Sequence, residues 1–164
     1  KNTEAILLAL QLLKKTTAFE MYLYGPMNTR LQELISKDEL GSIVFAMGEV
    51  PQTELAKAIQ QSDALVLYSR FETFGCVLIE ANACAVPVIV SDLEVFHEII
   101  EEGVNGIFVE KDNPLALAEK LKYFITQKNN FDKAAIAASA DKYNFKKVGQ
   151  QFIELYNKVA VNSK

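Results

Sequence analysis

A doubly wound α/β domain, with a parallel sheet between two layers of helices, is the fold class this sequence predicts. Three observations lead to it. Short β-rich runs alternate with helical periods along most of the chain. The strand-like runs are continuously apolar rather than alternating, as expected of parallel strands covered on both faces. The 164 residues carry no internal repeat, linker or low-complexity tract, which fits one domain with a sizeable core.

The elements follow in order. A helix is predicted over Thr3 to Lys15, with Ile6, Leu7, Leu10 and Leu13 on one face and Asn2 as N-cap. A strand over Phe19 to Tyr24 stops at Gly25-Pro26. A helix over Thr29 to Ser36 and a strand over Ile43 to Ala46 come next, and Gly48 and Pro51 mark a loop. A helix over Gln52 to Gln60 leads to a buried strand, Ala64 to Tyr68. The loop SRFETFG opens an apolar helix, Cys76 to Ala85, and the strand Val86 to Val90 has Pro87 near its start. A helix over Val95 to Glu101 and a strand over Ile107 to Val109 complete the alternation. Helices then dominate: one begins with Pro114 at its first position, and two more cover Asn130 to Lys142 and Phe145 to Ala160. Doubly wound domains usually open on a strand, whereas this chain opens in a turn leading into a helix. The expectation is a fragment that lacks the first strand.

Composition narrows the function classes. The net charge of −4 argues against a general nucleic-acid binder, yet leaves room for one cationic phosphate pocket. Half of the residues are hydrophobic and 23% are charged, an ordinary globular profile. The two cysteines, Cys76 and Cys84, lie about 12 Å apart along a helix axis, too far for a disulfide. Both are expected to be small buried hydrophobes in a reducing compartment. One histidine and no CxxC leave little material for a transition-metal site, and none is expected. Without a membrane-length apolar run or a signal peptide, the expected location is cytoplasmic.

Ligands of such sheets sit beyond the carboxyl ends of the strands. The loop Ser69 to Gly75 lies at one such end and feeds into a helix N-terminus, whose N–H groups and dipole favour an anion. Gly75 carries no side chain to obstruct a phosphate. Glu80 is the one ionisable residue in the apolar helix that follows, and a buried carboxylate requires a partner. A ribose diol is one such partner, since a carboxylate only accepts hydrogen bonds. A lysine or a backbone group is the other, and the spacing leaves both open. Glu72, eight residues earlier, is placed either to meet a second polyol or to be solvated.

The stretch FETFGCVLIEANACAVPVIVSD resembles the signature of glycosyltransferase family 4, the E-x7-E enzymes of GT-B architecture, with Glu72 and Glu80 as the pair. The resemblance continues through KN at the start, LYG at 23 to 25, VFAMGEVP at 44 to 51, SDALVLYS at 62 to 69, EGVNGIFV at 102 to 109 and the closing FxxVxxxFxxLY. It implies a Rossmann-like domain, the C-terminal half of a GT-B fold, that binds the nucleotide-sugar donor of a retaining transferase. The acceptor would be held by an N-terminal domain outside this chain. In that family's terms Glu80 would accept from the ribose, and Glu72 would orient hydroxyls of the transferred sugar. Backbone N–H groups of Phe74, Gly75, Cys76 and Val77 would hold sugar and diphosphate oxygens. Gly48, Glu49 and Val50 would border the base, and Gly25 would line the same cleft. Lys1 would contact the diphosphate beside an arginine lying upstream. A cation just before a helix N-terminus has the wrong sign for the dipole but suits a bound phosphate; being simply the start of the chain explains Lys1 equally well.

The sequence also departs from the family's pattern. Met27 stands where a second glycine is frequent, and Ala85 replaces a frequent glycine, expected to be a packing variation. DLEVFHE follows Ser91 in place of a Gly-Gly form, which leaves donor contacts of Asp92 to Glu94 in doubt; Glu98 matches the acidic position. His97 is expected to be a surface or supporting residue and Arg70 a solvated one. Ser69 either bonds the diphosphate or caps its turn, with function favoured. Phe145, Phe152 and Tyr156 are assigned to core or interdomain packing. The resemblance implies no metal or cofactor beyond the donor, and leaves peripheral membrane association of the full-length protein open. A nucleotide-sugar epimerase or phosphorylase of the same architecture, and a non-catalytic α/β interaction module, are the alternatives.

Overall fold

A computed structural model describes residues 1–37 and 39–162. Its helices are α1 (Thr3–Leu13), α2 (Thr29–Lys37), α3 (Gln52–Gln61), α4 (Cys76–Ala83), α5 (Pro114–Gln127), α6 (Lys133–Ala140) and α7 (Phe145–Asn162). The strands are β1 (Met21–Tyr24), β2 (Val44–Gly48), β3 (Leu65–Leu67), β4 (Val88–Ser91) and β5 (Gly106–Val109). Every strand pair is parallel, as the apolar runs predict. The strands form two groups among the described residues, β1-β2 and β3-β4-β5.

Alternate side chains of the three-stranded group point into two cores. Ile89, Ile107 and Val109 meet Leu7 and Leu10 of α1 and Leu117, Leu121 and Phe124 of α5. Leu67, Val88 and Val90 meet Ile59 of α3, Leu78 and Ala81 of α4, and Phe96. This is the expected three-layer arrangement, and all four residues of β4 are buried. The β1-β2 pair is covered on one face alone. Val44 joins the first core with Met21 and Leu23 packed against it, while Tyr22, Tyr24 and Met47 are exposed.

Several expectations change in detail. Val95 to Glu101 is not an α-helix but a 3₁₀ turn over Glu94–Glu98, closed by bonds from Phe96 N–H to Leu93 and from Ile99 N–H to Phe96. Asn2 makes no side-chain cap; its amide donates to Asp112 Oδ1 at 3.1 Å. Gly48 ends β2 rather than sitting in a loop, at φ 71°, and its carbonyl accepts from Gly25 N–H.

Helix α4 stops two residues before the predicted end, in a Schellman motif. Val86 N–H reaches Ala81 O at 3.0 Å and Ala85 N–H reaches Asn82 O at 2.8 Å. Ala85 therefore sits at φ 59°, in the left-handed region. A glycine is suited to this position by backbone conformation, not by the packing variation expected from the sequence. Nor is α4 buried all round: Leu78, Ala81 and Asn82 are buried, Glu80 is half-buried and Cys76 is exposed. The expectation of two buried thiols is not met: Cys76, the first residue of the helix, is exposed, and Cys84 is half-buried.

Phe145, Phe152 and Tyr156 are not in this domain's core. They are 98%, 55% and 70% exposed along α7, which leaves the body of the domain after Asn144. No helix of the described residues is long and apolar enough to cross a membrane.

Candidate functional site

The carboxyl ends of β3 and β4 are tied together by one buried hydroxyl. Ser91 Oγ accepts from Ser69 N–H at 2.6 Å and donates to Ser69 O at 2.7 Å. Both serines are buried, so the second residue after β3 is fixed where the loop begins. Sequence reasoning missed Ser91; a small polar residue ending an apolar strand is the signal that marks it.

Ser69 Oγ then donates to Glu72 Oε1 at 2.9 Å, and Lys1 Nζ meets the same oxygen at 2.5 Å. Ser69 thus braces the Glu72 carboxylate, and Lys1 reaches it from 71 residues away in sequence. Burial alone raises the Glu72 pKa, but the bonds from Lys1 and Ser69 outweigh it and hold the carboxyl below its ordinary 4.5. The Glu72 side chain is 16% exposed, so the predicted solvated alternative does not describe it.

The next turn delivers Gly75 at φ 95°, a conformation that favours glycine. A β-carbon there would stand 2.8 Å from the Phe96 ring and 3.1 Å from Leu78. The absence of a side chain is thus demanded by backbone and packing, where the sequence had pointed to phosphate access. Helix α4 begins immediately after. Within the described residues no protein acceptor takes the N–H groups of Phe74, Gly75, Cys76 or Val77. Four donors without a protein acceptor therefore lie at the start of α4, two on the loop and two in its first turn, close in sequence to Glu72. The Phe74 ring stands edge-on to Tyr143, with centroids 6.0 Å apart.

Glu80 lies one turn into α4. Its Oε1 accepts from Gln52 Nε2 of α3 at 3.2 Å, and no cation is within salt-bridge range of it among the described residues. Among the described residues neither the lysine nor the backbone partner considered from the sequence is present, and a neutral amide takes their place. Gln52 carried no sequence signal beyond directly following the VFAMGEVP block.

Gly25 and Gly48 are bonded at the carboxyl ends of β1 and β2, both with positive φ and with open space where a side chain would be. Glu49 is exposed and Val50 half-buried just after them. On the far side Arg70 Nε pairs with Asp112 Oδ1 at 2.7 Å, so Arg70 is exposed but partnered. His97 is exposed, bonded to Asp92 at 2.7 Å and stacked on Phe108 at 4.3 Å. Among the described residues no group of three or more His, Cys, Asp or Glu is placed to hold a metal ion.

The carboxyl ends of the strands of this parallel α/β domain thus bring together two carboxylates, a lysine and unbonded N–H groups at a helix start. The chain belongs to the family "Glycosyl transferases, group 1", whose model matches residues 1–142. Among similar curated proteins are D-inositol 3-phosphate glycosyltransferase 1 of Catenulispora acidiphila and alpha-monoglucosyldiacylglycerol synthase of Acholeplasma laidlawii. The first is 32% identical over 96 residues, 58% of this chain and 23% of that protein. The second is 33% identical over 91 residues, 56% of this chain and 23% of that protein. The chain thus aligns with about a quarter of the length of these relatives.

The crystal structure of Anabaena HepE in complex with UDP and glucose superposes with a TM-score of 0.85. It shares 22% identity, over 96% of this chain and 45% of that one. A glycosyltransferase of Rickettsia africae superposes with a TM-score of 0.89 at 22% identity, over 98% of this chain and 45% of that one. These two likenesses establish the fold, a parallel α/β architecture that matches the C-terminal domains of GT-B glycosyltransferases.

Proposed function

We propose that this chain is the donor-binding domain of a retaining E-x7-E glycosyltransferase, which moves a sugar from a nucleoside diphosphate to an acceptor held by a second domain. The observation that carries the reading is the juxtaposition of the Lys1–Glu72–Ser69 cluster with the unbonded N–H groups opening α4. The diphosphate accepts from those N–H groups and from Lys1, whose side chain is 58% exposed and can turn from Glu72 to a phosphate. Glu80 accepts from the ribose with the carboxylate capacity that Gln52 leaves unused. Glu72, freed on one side, orients hydroxyls of the transferred sugar. The main chain at Gly48, Glu49 and Val50 borders the base, and Gly25 lines the same cleft.

In the transfer step the bond between the anomeric carbon and the diphosphate oxygen breaks, and the electron pair leaves with the diphosphate. The acceptor oxygen bonds to the same face of that carbon, and its proton passes to the departing diphosphate. Lys1 and the helix N-terminus stabilise the charge that develops there.

Isothermal titration of the full protein with UDP, GDP and ADP tests the site. One of the three is expected to bind, and Glu80→Ala to weaken it by about 10-fold or more, the worth of a charged hydrogen bond. Absence of any nucleotide heat, or an affinity unchanged by Glu80→Ala, overturns the assignment.

A further inference from the structure

Two segments far apart in the chain carry the Lys1–Glu72 pair: the entry to α1 and the loop after β3. A single atom grips both. Asp112 Oδ1, on the turn after β5, accepts from Asn2 Nδ2 at 3.1 Å and from Arg70 Nε at 2.7 Å. We infer that Asp112 is a positioning residue for the Lys1–Glu72 pair, which it sets face to face by bridging the segments that bear them. The consequence for nucleotide binding rests on the donor-binding reading above.

The bridge stands on a rigid base. Asp112 lies between two residues anchored on buried Tyr68, whose hydroxyl donates to Glu110 O at 2.6 Å and accepts from Asn113 N–H at 2.8 Å. Asn113 is fixed from its other side as the N-cap of α5, its Oδ1 accepting from Ala116 N–H at 3.0 Å. Asn2 is held as well. It is buried, its N–H donates to Tyr68 O at 2.9 Å and its carbonyl accepts from Ile6 N–H at 3.2 Å. Lys1 follows from this anchorage, since a flexible ammonium is aimed by its backbone rather than by its own stem. Arg70 stands two residues before Glu72, so the same carboxylate restrains the loop on the other side of the pair.

Folding stability does not account for the side chain. Asp112 sits at φ 57°, in the left-handed region that a glycine occupies without strain. Its ion pair with Arg70 is exposed, at 52% for Asp112 and 70% for Arg70, and exposed pairs contribute little to folding. A glycine would serve the turn at least as well. It could not hold Asn2 and Arg70 at one point, and backbone strain beside a site is of the kind that serves the site.

Two measurements on the full protein test the inference. Calorimetry with UDP, GDP and ADP compares the parent, Asp112→Gly, Lys1→Ala and the double variant. For the nucleotide that binds, Asp112→Gly is expected to weaken affinity about 5-fold in the parent and less than about 2-fold once Lys1→Ala is present. Its Tm is expected not to fall. Asp112→Asn keeps an acceptor oxygen and tolerates the left-handed backbone, so it should recover most of the affinity. Equal losses in both backgrounds, or a loss that comes with a lowered Tm, overturn the inference. The second readout needs no nucleotide. An NMR titration is expected to find the Glu72 carboxyl shifted upward in Asp112→Gly, toward its ordinary range, as Lys1 leaves it. An unmoved Glu72 overturns the inference even where nucleotide binds. Absence of binding in the parent overturns the donor-binding reading instead, and the assignment of Asp112 then stands or falls with the Glu72 shift.

Discussion

The three-stranded and two-stranded halves of this domain bury their strands in different ways. Around β3, β4 and β5 both faces are covered, and buried polar side chains lock the connections. Asn105 Nδ2 donates to Asn82 Oδ1, Ile99 O and Ser139 Oγ, its Oδ1 accepts from Glu101 N–H, and Asn82 Nδ2 reaches Val86 O and Asn105 O. Tyr68 ties β3 to the segment after β5 by donating to Glu110 O and accepting from Asn113 N–H. Around β1 and β2 one face is open, and the contacts there, such as the 5.1 Å stacking of Tyr22 on Phe45, are exposed. The proposed donor contacts divide the same way. Charged groups that must hold position sit on the locked half, whereas the base is bordered by main chain on the open half. Fixing a carboxylate to within a fraction of an ångström requires a rigid base; bordering a flat ring with backbone groups asks less of it.

This contrast can be broken by measurement. Asn105→Ala leaves buried groups on Asn82 and Ile99 without partners and is expected to cost about 3 kcal/mol. Urea unfolding at unchanged slope reads that loss, and a shift below about 1 kcal/mol dissolves the contrast. Ala85→Gly should work in the other direction. Relief of the left-handed backbone at φ 59° is expected to stabilise by about 1 kcal/mol and raise Tm by a few degrees; no rise would mean that the helix end differs from the motif described. Met47→Thr, on the exposed face of β2, is expected to stay within about 0.5 kcal/mol of the parent. A larger loss there would show the open half to be covered in solution.

The pH dependence is smaller again. Glu72 has a depressed folded pKa, so its contribution is complete above the unfolded value of 4.5 and is lost as pH falls through the lower folded value. Because Lys1 is mostly exposed, the stability at stake is a few tenths of a kcal/mol. Lys1→Ala should flatten that part of the profile, and a profile unchanged by the substitution would remove Lys1 as the cause.

The order of elements was legible because periodicity is local: Leu7, Leu10 and Leu13 announce α1, and Val88 to Val90 announce β4, without knowledge of anything else. The 3₁₀ turn at Glu94 was not. Phe96, Ile99 and Ile100 have helical spacing, yet the Asn105 side chain takes Ile99 O and Glu101 N–H, groups that a continuing helix would use. The site was legible in its residue types and not in its partners. Glu72 and Glu80 stood out by spacing and by resemblance, but Lys1 lies 71 residues from the first and Gln52 lies 28 from the second. No pattern in the chain records a meeting of that kind. Gly75 was marked for a reason that proved incomplete, since its positive φ and the Phe96 ring, 21 residues away, exclude a side chain there.

The exposed thiol of Cys76 has a practical consequence. It opens α4 among the N–H groups assigned to the donor, whereas Cys84 is half-buried at the other end of the same helix. A thiol-directed fluorophore should therefore attach to Cys76 first. Nucleotide that shields it would slow the labelling, so the molecule carries its own chemical gauge of occupancy.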